Sequence, residues 1–279
     1  MATFLAADGT ALSYQVTGAG EPLICLPGGP MSDADYLGDL GGLAQDVPLV
    51  LLDLRGTGRS ARADPASYRC DRLSADVGAL ADHLGLATVR LLGHSAGANI
   101  AVQYAAAHPD KVSHLLLINP STRAVGIEAG SEDRRQVVAL RRGEPWFADA
   151  AAAFERIQVD GGTEADWEAI TPFVYGRWDA AAQAHHAAEN RSRHPEAVAA
   201  NIAEGAFDPA ATRAALARFG SPVLLLAGEV DIADPPHVMG KYAAIFPAAR
   251  FVIQPGAGHY PWLDDPAVFR ATVTSFLAG

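Results

Sequence analysis

Six apolar runs of strand length punctuate this chain, at residues 22–27, 47–53, 89–93, 112–118, 222–228 and 250–254, and they are rich in Leu, Val and Ile. Runs of this kind read mostly as strands buried on both faces. Between them lie amphipathic stretches of helical period at 71–84, 96–108, 237–246 and 266–277. Parallel neighbours need a crossover, and crossover helices come to rest on the faces of the sheet, so the alternation calls for a mostly parallel sheet covered by helices. The expected fold class is α/β. Residues 12–16, followed by Gly18-Ala19-Gly20, add an antiparallel hairpin whose first strand falls near residues 3–6, bringing the expected sheet to eight strands.

From Ser121 to about Arg218 the alternation stops, and Ala, Arg, Glu and aromatic-rich helical sequence takes over. This reads as a helical cap, residues 121–218, inserted into a core domain of residues 1–120 and 219–279. Seven aromatics (Trp146, Phe147, Phe154, Trp167, Phe173, Tyr175 and Trp178) fall within 33 residues there, where the chain average of 8% gives fewer than three. Such a cluster either packs a small helical subdomain or lines a pocket for a small molecule with an apolar moiety. Trp146, Trp167, Trp178 and, beyond the cap, Tyr260 are the candidates for substrate contact.

A serine hydroxyl is a weak nucleophile at neutral pH and needs a neighbouring base, together with a backbone that exposes its oxygen beside oxyanion donors. Gly93-His94-Ser95-Ala96-Gly97 ends an apolar run and opens a helical stretch, with small residues where a tight strand-to-helix turn crowds the backbone. Ser95 is the candidate nucleophile. Its partners should follow in the order acid, then base, each on a loop leaving the carboxyl end of a strand. Gly228-Glu229-Val230-Asp231 and Pro255-Gly256-Ala257-Gly258-His259 meet that demand, making Asp231 the candidate acid and His259 the candidate base. Asp234 is a rival acid, although Pro235-Pro236 begins a helix that it could cap. Asn119 occupies another strand end where an acid could sit, but it is no carboxylate. For the oxyanion, one amide is expected from Ala96 and the second from Gly29 in Pro27-Gly28-Gly29-Pro30, whose prolines have no N–H.

With these segments on the page, the chain resembles the α/β-hydrolases, and among them the branch of the prolyl aminopeptidases and related esterases. Pro27-Gly28-Gly29-Pro30-Met31 is similar to that branch's His-Gly-Gly-Pro-Gly, and Asp53-Leu54-Arg55-Gly56-Thr57-Gly58-Arg59-Ser60 to its Asp-Gln-Arg-Gly-x-Gly-x-Ser. Pro27 replaces the histidine and Met31 the final glycine, so the oxyanion loop is expected to differ in shape. The resemblance implies an inserted cap, an acyl-enzyme mechanism without cofactor or metal and, in the peptidase branch, cap carboxylates that hold a free ammonium. Glu155, Glu164, Asp166, Glu168 and Glu189 are available for that task, and Trp167-Glu168 matches a similar step in the family's cap.

Other signals carry less. Gly56-Thr57-Gly58-Arg59-Ser60-Ala61 fits a dinucleotide fingerprint, but Asp64-Pro65-Ala66-Ser67 follows where a helix would have to receive the pyrophosphate, so it reads as a structural turn. His185-His186 and His194 lack metal-site spacing. His94 can touch substrate or simply pack. Asn190-Arg191-Ser192 fits a glycosylation acceptor by chance. A formal charge of -11 argues against nucleic acid. Cys25 and Cys70 are expected as free thiols, and the first fifteen residues show neither signal peptide nor membrane span, so a cytoplasmic location is the expectation. Cleavage of an ester or amide through Ser95 is the expected chemistry, with an aminopeptidase and a non-hydrolytic ligand-binding or lyase protein as the alternatives.

Overall fold

A computed structural model describes residues 1–189 and 195–279. The glycosylation pattern at Asn190-Arg191-Ser192 and His194 lie outside the described residues. The chain forms one eight-stranded sheet from β1 (Ala2–Leu5), β2 (Ala11–Thr17), β3 (Leu23–Leu26), β4 (Leu49–Leu52), β5 (Val89–His94), β6 (Val112–Ile118), β7 (Val223–Gly228) and β8 (Ala249–Gln254). Their spatial order is β1-β2-β4-β3-β5-β6-β7-β8. β2 pairs antiparallel with both β1 and β4, and every pairing from β4 to β8 is parallel. All six apolar runs and the hairpin thus become strands, as the α/β reading requires.

Period-two alternation splits the strand side chains between two faces. Ile24, Leu26, Val50, Leu52, Leu91, Leu115, Leu117 and Leu225 join the larger core with helices α1 (Cys70–His83) and α2 (Gly97–Ala107). Leu23, Cys25, Leu49, Leu51, Leu92, Leu116, Leu224 and Leu226 pack on the opposite face. β3, β4 and β7 are buried throughout, whereas β8 is a half-buried edge with Ile253 exposed, and β2 next to the opposite edge leaves Ala11 and Val16 exposed.

Between β6 and β7 the described residues form helices and no strand: α3 (Ser131–Ala139), α4 (Phe147–Asp160), α5 (Glu164–Ala169), α6 (Ala180–Glu189), α7 (Pro195–Asn201) and α8 (Pro209–Leu216). Val138, Ala150, Ala153, Phe154, Ile157, Ile170 and Phe173 build a separate apolar cluster there, joined by Ile232 from beyond β7. The chain closes with α9 (Pro236–Ala243), α10 (Pro261–Asp264) and α11 (Pro266–Leu277), whose Phe269, Val273 and Phe276 cover the second sheet face. Among the described residues no helix is long and apolar enough to cross a membrane. Both Cys25 and Cys70 are buried free thiols.

The segment after β4 is a structural turn. Asp53 accepts the amides of Ala34 and Arg59 at 3.0 Å each, and the Ser60 hydroxyl donates to the Asp53 carbonyl at 2.6 Å while accepting the Ser13 amide at 2.8 Å. Arg55 is buried and pairs with Asp76 of α1 through two nitrogens, at 2.8 and 2.5 Å, and with half-exposed Asp8 at 2.6 Å. Removing one partner of a buried pair strands a charge. Asp76→Ala is therefore expected to lower stability by about 3–5 kcal/mol in urea unfolding, and Asp8→Ala by about 1 kcal/mol or less because water screens that carboxylate.

Candidate active site

The strand order reverses between β3, whose chain continues outward to β4, and β5, whose chain continues towards β6. In open parallel sheets such a point leaves a crevice outside the carboxyl ends of the strands. Residues 27–30 leave β3 there, and Ser95 leaves β5 beside them, with Leu26 in register with Gly93. Ser95 has φ 52°, a left-handed backbone that costs a side-chain-bearing residue about 1–3 kcal/mol. Its amide donates to the Ile118 carbonyl at 3.1 Å, and its carbonyl accepts the Ser121 amide at 3.0 Å. Two glycines make the turn possible: a Cβ on Gly97 would stand 2.4 Å from the Leu26 carbonyl oxygen, and one on Gly28 2.7 Å from the Ser95 Cβ.

A cavity of about 230 Å³ opens over this turn, lined by Gly29, Tyr36, His94, Ser95, Thr171, Val174, Tyr175, His186, Glu189, His259 and Tyr260. Ser95, His259 and Gly29 share one wall. The amides of Gly29 and Ala96 make no hydrogen bond with other described residues. Met31 has φ 63°, so the position where the resembled loop carries glycine keeps a left-handed backbone here despite its side chain.

His259 Nδ1 lies 2.7 Å from Asp231 Oδ2, with Asp231 fully buried and its other oxygen accepting the Ala233 amide at 2.9 Å. Burial works against a charged His259, but the Asp231 carboxylate outweighs it and raises the pKa to about 9. Asp234 does not bond His259; burial and then the Asp231 charge push its carboxyl up to about 8. Asp231, Asp234 and His259 place ligand atoms within 4.8 Å of one another. With His259 Nδ1 already facing Asp231, the cluster reads as an acid-base pair with a second, protonated carboxyl beside it.

Polar residues from distant segments hold these loops. Asn119, at φ 41°, accepts the Gly228 amide at 2.6 Å and donates to the Gly258 carbonyl at 2.8 Å, joining the loops that carry Asp231 and His259. Asp264 accepts the amides of Gly176 (3.0 Å), Arg177 (3.1 Å) and Gly258 (2.8 Å), while the His259 amide donates to the Val174 carbonyl at 2.7 Å. Neither role has a signature in the sequence.

The candidate substrate residues separate. Tyr260 lines the cavity and donates its hydroxyl to Glu189 at 2.5 Å. Trp167 is 55% exposed and the Glu168 side chain 71% exposed, and neither lines the cavity, although Glu168 stands 3.6 Å from His186, which does. Trp146 packs on Phe173 and under the Arg141 guanidinium, and Trp178 on Tyr175, neither of them lining it. Of the five cap carboxylates only Glu189 reaches the cavity: Glu155 pairs with Arg135, Asp166 caps α5 and pairs with Arg156, and Glu164 sits exposed in the first turn of α5. The signal that could have found it is the spacing of Ala182, His185 and Glu189, which places them on one face of α6.

Residues 21–266 match the family model described as alpha/beta hydrolase fold. The chain is 30% identical over 281 residues to "Putative carbamate hydrolase RutD" of Caulobacter vibrioides, covering 96% of each protein. It is 26% identical over 300 residues to a proline iminopeptidase of Heyndrickxia coagulans, covering 98% of this chain and 97% of that one. An esterase from Rhodococcus sp. ECU1013 superposes with a TM-score of 0.72 at 25% identity, covering 100% of this chain and 98% of that structure. Sequence match, sheet topology and the crevice at its reversal point agree: the chain belongs to the α/β-hydrolase fold family and is an α/β-fold hydrolase.

Proposed function

We propose that the protein is a serine hydrolase acting on an ester or amide of a small molecule, with Ser95 as nucleophile, His259 as general base and acid, and Asp231 as the acid that orients the imidazole. The observation that carries this reading is the convergence on one cavity of Ser95, on a strained, half-buried turn, and His259, pinned by a buried carboxylate at 2.7 Å. Ser95 Oγ gives its proton to His259 Nε2 and bonds to the substrate carbonyl carbon, and the amides of Gly29 and Ala96 receive the oxyanion. His259 returns the proton to the leaving oxygen or nitrogen, and water, deprotonated in turn by His259, releases the acid from the acyl-enzyme.

The helices between β6 and β7 act in this reading as a cap, residues 121–218, over a core of 1–120 and 219–279, since Thr171, Val174, Tyr175, His186 and Glu189 close the cavity. A volume of about 230 Å³ suits a compact substrate, and the tyrosines, histidines and Glu189 around it suit a more polar one than the aromatic-rich cap sequence suggests. Glu189 favours a second reading, an aminopeptidase-like enzyme whose buried carboxylate receives the substrate ammonium, as the proline iminopeptidase relative invites.

A fluorophosphonate probe is expected to label the wild type and not Ser95→Ala; labelling that survives the substitution removes Ser95 from its role. Because Asp231 holds the proton on His259, kcat/KM for an aryl ester should climb with pH through a limb near 9. Asp231→Asn takes away the charge that favours imidazolium, so it should move that limb to lower pH while cutting the plateau roughly 10⁴-fold; a limb that stays in place speaks against the pair. Glu189→Gln should raise KM for an aminoacyl arylamide more than tenfold and leave a neutral aryl ester within about twofold. Equal effects on both substrates would reject the aminopeptidase reading.

A further inference from the structure

Two buried polar side chains in the cavity wall, Tyr36 and His94, have no part in these steps, yet they form one continuous chain of hydrogen bonds. The Gly28 amide donates to the Tyr36 hydroxyl at 2.7 Å, that hydroxyl lies 2.6 Å from His94 Nδ1, and His94 Nε2 lies 2.9 Å from the carbonyl oxygen of His259. Direction is fixed at both ends, because an amide only donates and a carbonyl only accepts. His94 Nε2 therefore carries the proton, and Nδ1 accepts from the tyrosine, which in turn accepts from Gly28. Burial, with the neighbouring His259, holds the His94 pKa well below that of a free imidazole, which keeps this neutral tautomer in place.

We propose that Tyr36 and His94 are positioning residues that hold the oxyanion loop and His259 in register across the nucleophile. The inference rests on the reading of Ser95 and His259 given above. The chain of bonds joins three loops, leaving β3, β5 and β8, whose alignment decides whether the serine, the base and the oxyanion donors meet at one carbonyl. Pro27 brings neither an N–H nor a polar side chain to the first of these loops; Gly28 is held instead through its carbonyl, which accepts the Ser32 amide at 3.1 Å, and through its amide by Tyr36 in the short 3₁₀ helix Ala34–Leu37. Packing restricts both rings: His94 stands 4.8 Å, centroid to centroid, from each of Trp262 and His259, and Tyr36 meets Tyr260 edge-on at 6.1 Å.

Tyr36→Phe removes one oxygen and keeps the ring, leaving the Gly28 amide and His94 Nδ1 without that partner. With a neutral aryl ester, and with rates expressed per site titrated by fluorophosphonate, kcat should fall about 10- to 100-fold while KM stays within about threefold. The rate constant for fluorophosphonate labelling should fall by the same factor, since charge develops on an oxygen at the same amides in both reactions. His94→Gln should give a similar loss and carries the test by itself if Tyr36→Phe does not accumulate. The double variant should lie within about threefold of the worse single variant, because both changes break one chain.

A merely structural role would reduce the fraction of titratable sites and leave kcat per site unchanged. A kcat per site within twofold of wild type in Tyr36→Phe, or losses that multiply in the double variant, would overturn the proposal. If Ser95→Ala abolishes labelling while Tyr36→Phe is unimpaired, only the positioning role is lost; if labelling survives Ser95→Ala, the reaction and the positioning role are rejected together.

Discussion

The site depends on how closely two strand exits approach. β3 and β5 lie side by side where the strand order reverses, and no side chain separates the chains leaving them. Gly97 meets the carbonyls of Leu26 and Pro27, and Gly28 meets Ser95, with room for hydrogen alone. Backbone packed on backbone is what holds Ser95 in a left-handed turn that its own side chain disfavours. Widening either contact by a methyl group would move the serine away from the cavity it shares with His259 and Gly29.

Electrostatics add a second constraint at the far end of the sheet. Two carboxyls, buried Asp231 and half-buried Asp234, stand close together, and charge on one disfavours charge on the other. Burial and the Asp231 charge push the Asp234 carboxyl up, and the negative charge near His259 comes first from Asp231, with Asp234 and Glu189 adding to it. That balance favours imidazolium, the species that appears as a serine proton is transferred. His94, a few ångströms away, is held neutral in the same surroundings, so the two neighbouring imidazoles are driven in opposite directions by what each one touches.

Features set by short segments were legible in the sequence. Apolar runs become strands because their side chains fill both faces of a sheet, and the loops of Ser95, Asp231 and His259 can be placed because each follows such a run. β8 differs only in being an edge, which its composition does not announce. The segment between β6 and β7 was legible as helical sequence but not as a surface. Trp146 and Trp178 pack against neighbouring aromatics, and Trp167 with Glu168 face solvent, because which side of a short helix meets the core depends on partners far away in the chain. Tyr36, Asn119 and Asp264 were illegible as parts of the site for the same reason. Each makes a bond across a long stretch of chain, 58 residues for Tyr36, 139 for Asn119 and 88 for Asp264, beyond the reach of any local periodicity.

Asp264 gathers amides from two distant segments, Gly176 and Arg177 between β6 and β7, and Gly258 next to His259. Val174 adds a direct backbone bond to His259. Residues 174–177 and the histidine loop are thus stitched together, by one direct backbone bond and by three amides that share Asp264. In the proposed mechanism that seam couples one wall of the cavity, where Val174 and Tyr175 stand, to the alignment of His259, so the shape of the cavity and the aim of its imidazole would change together.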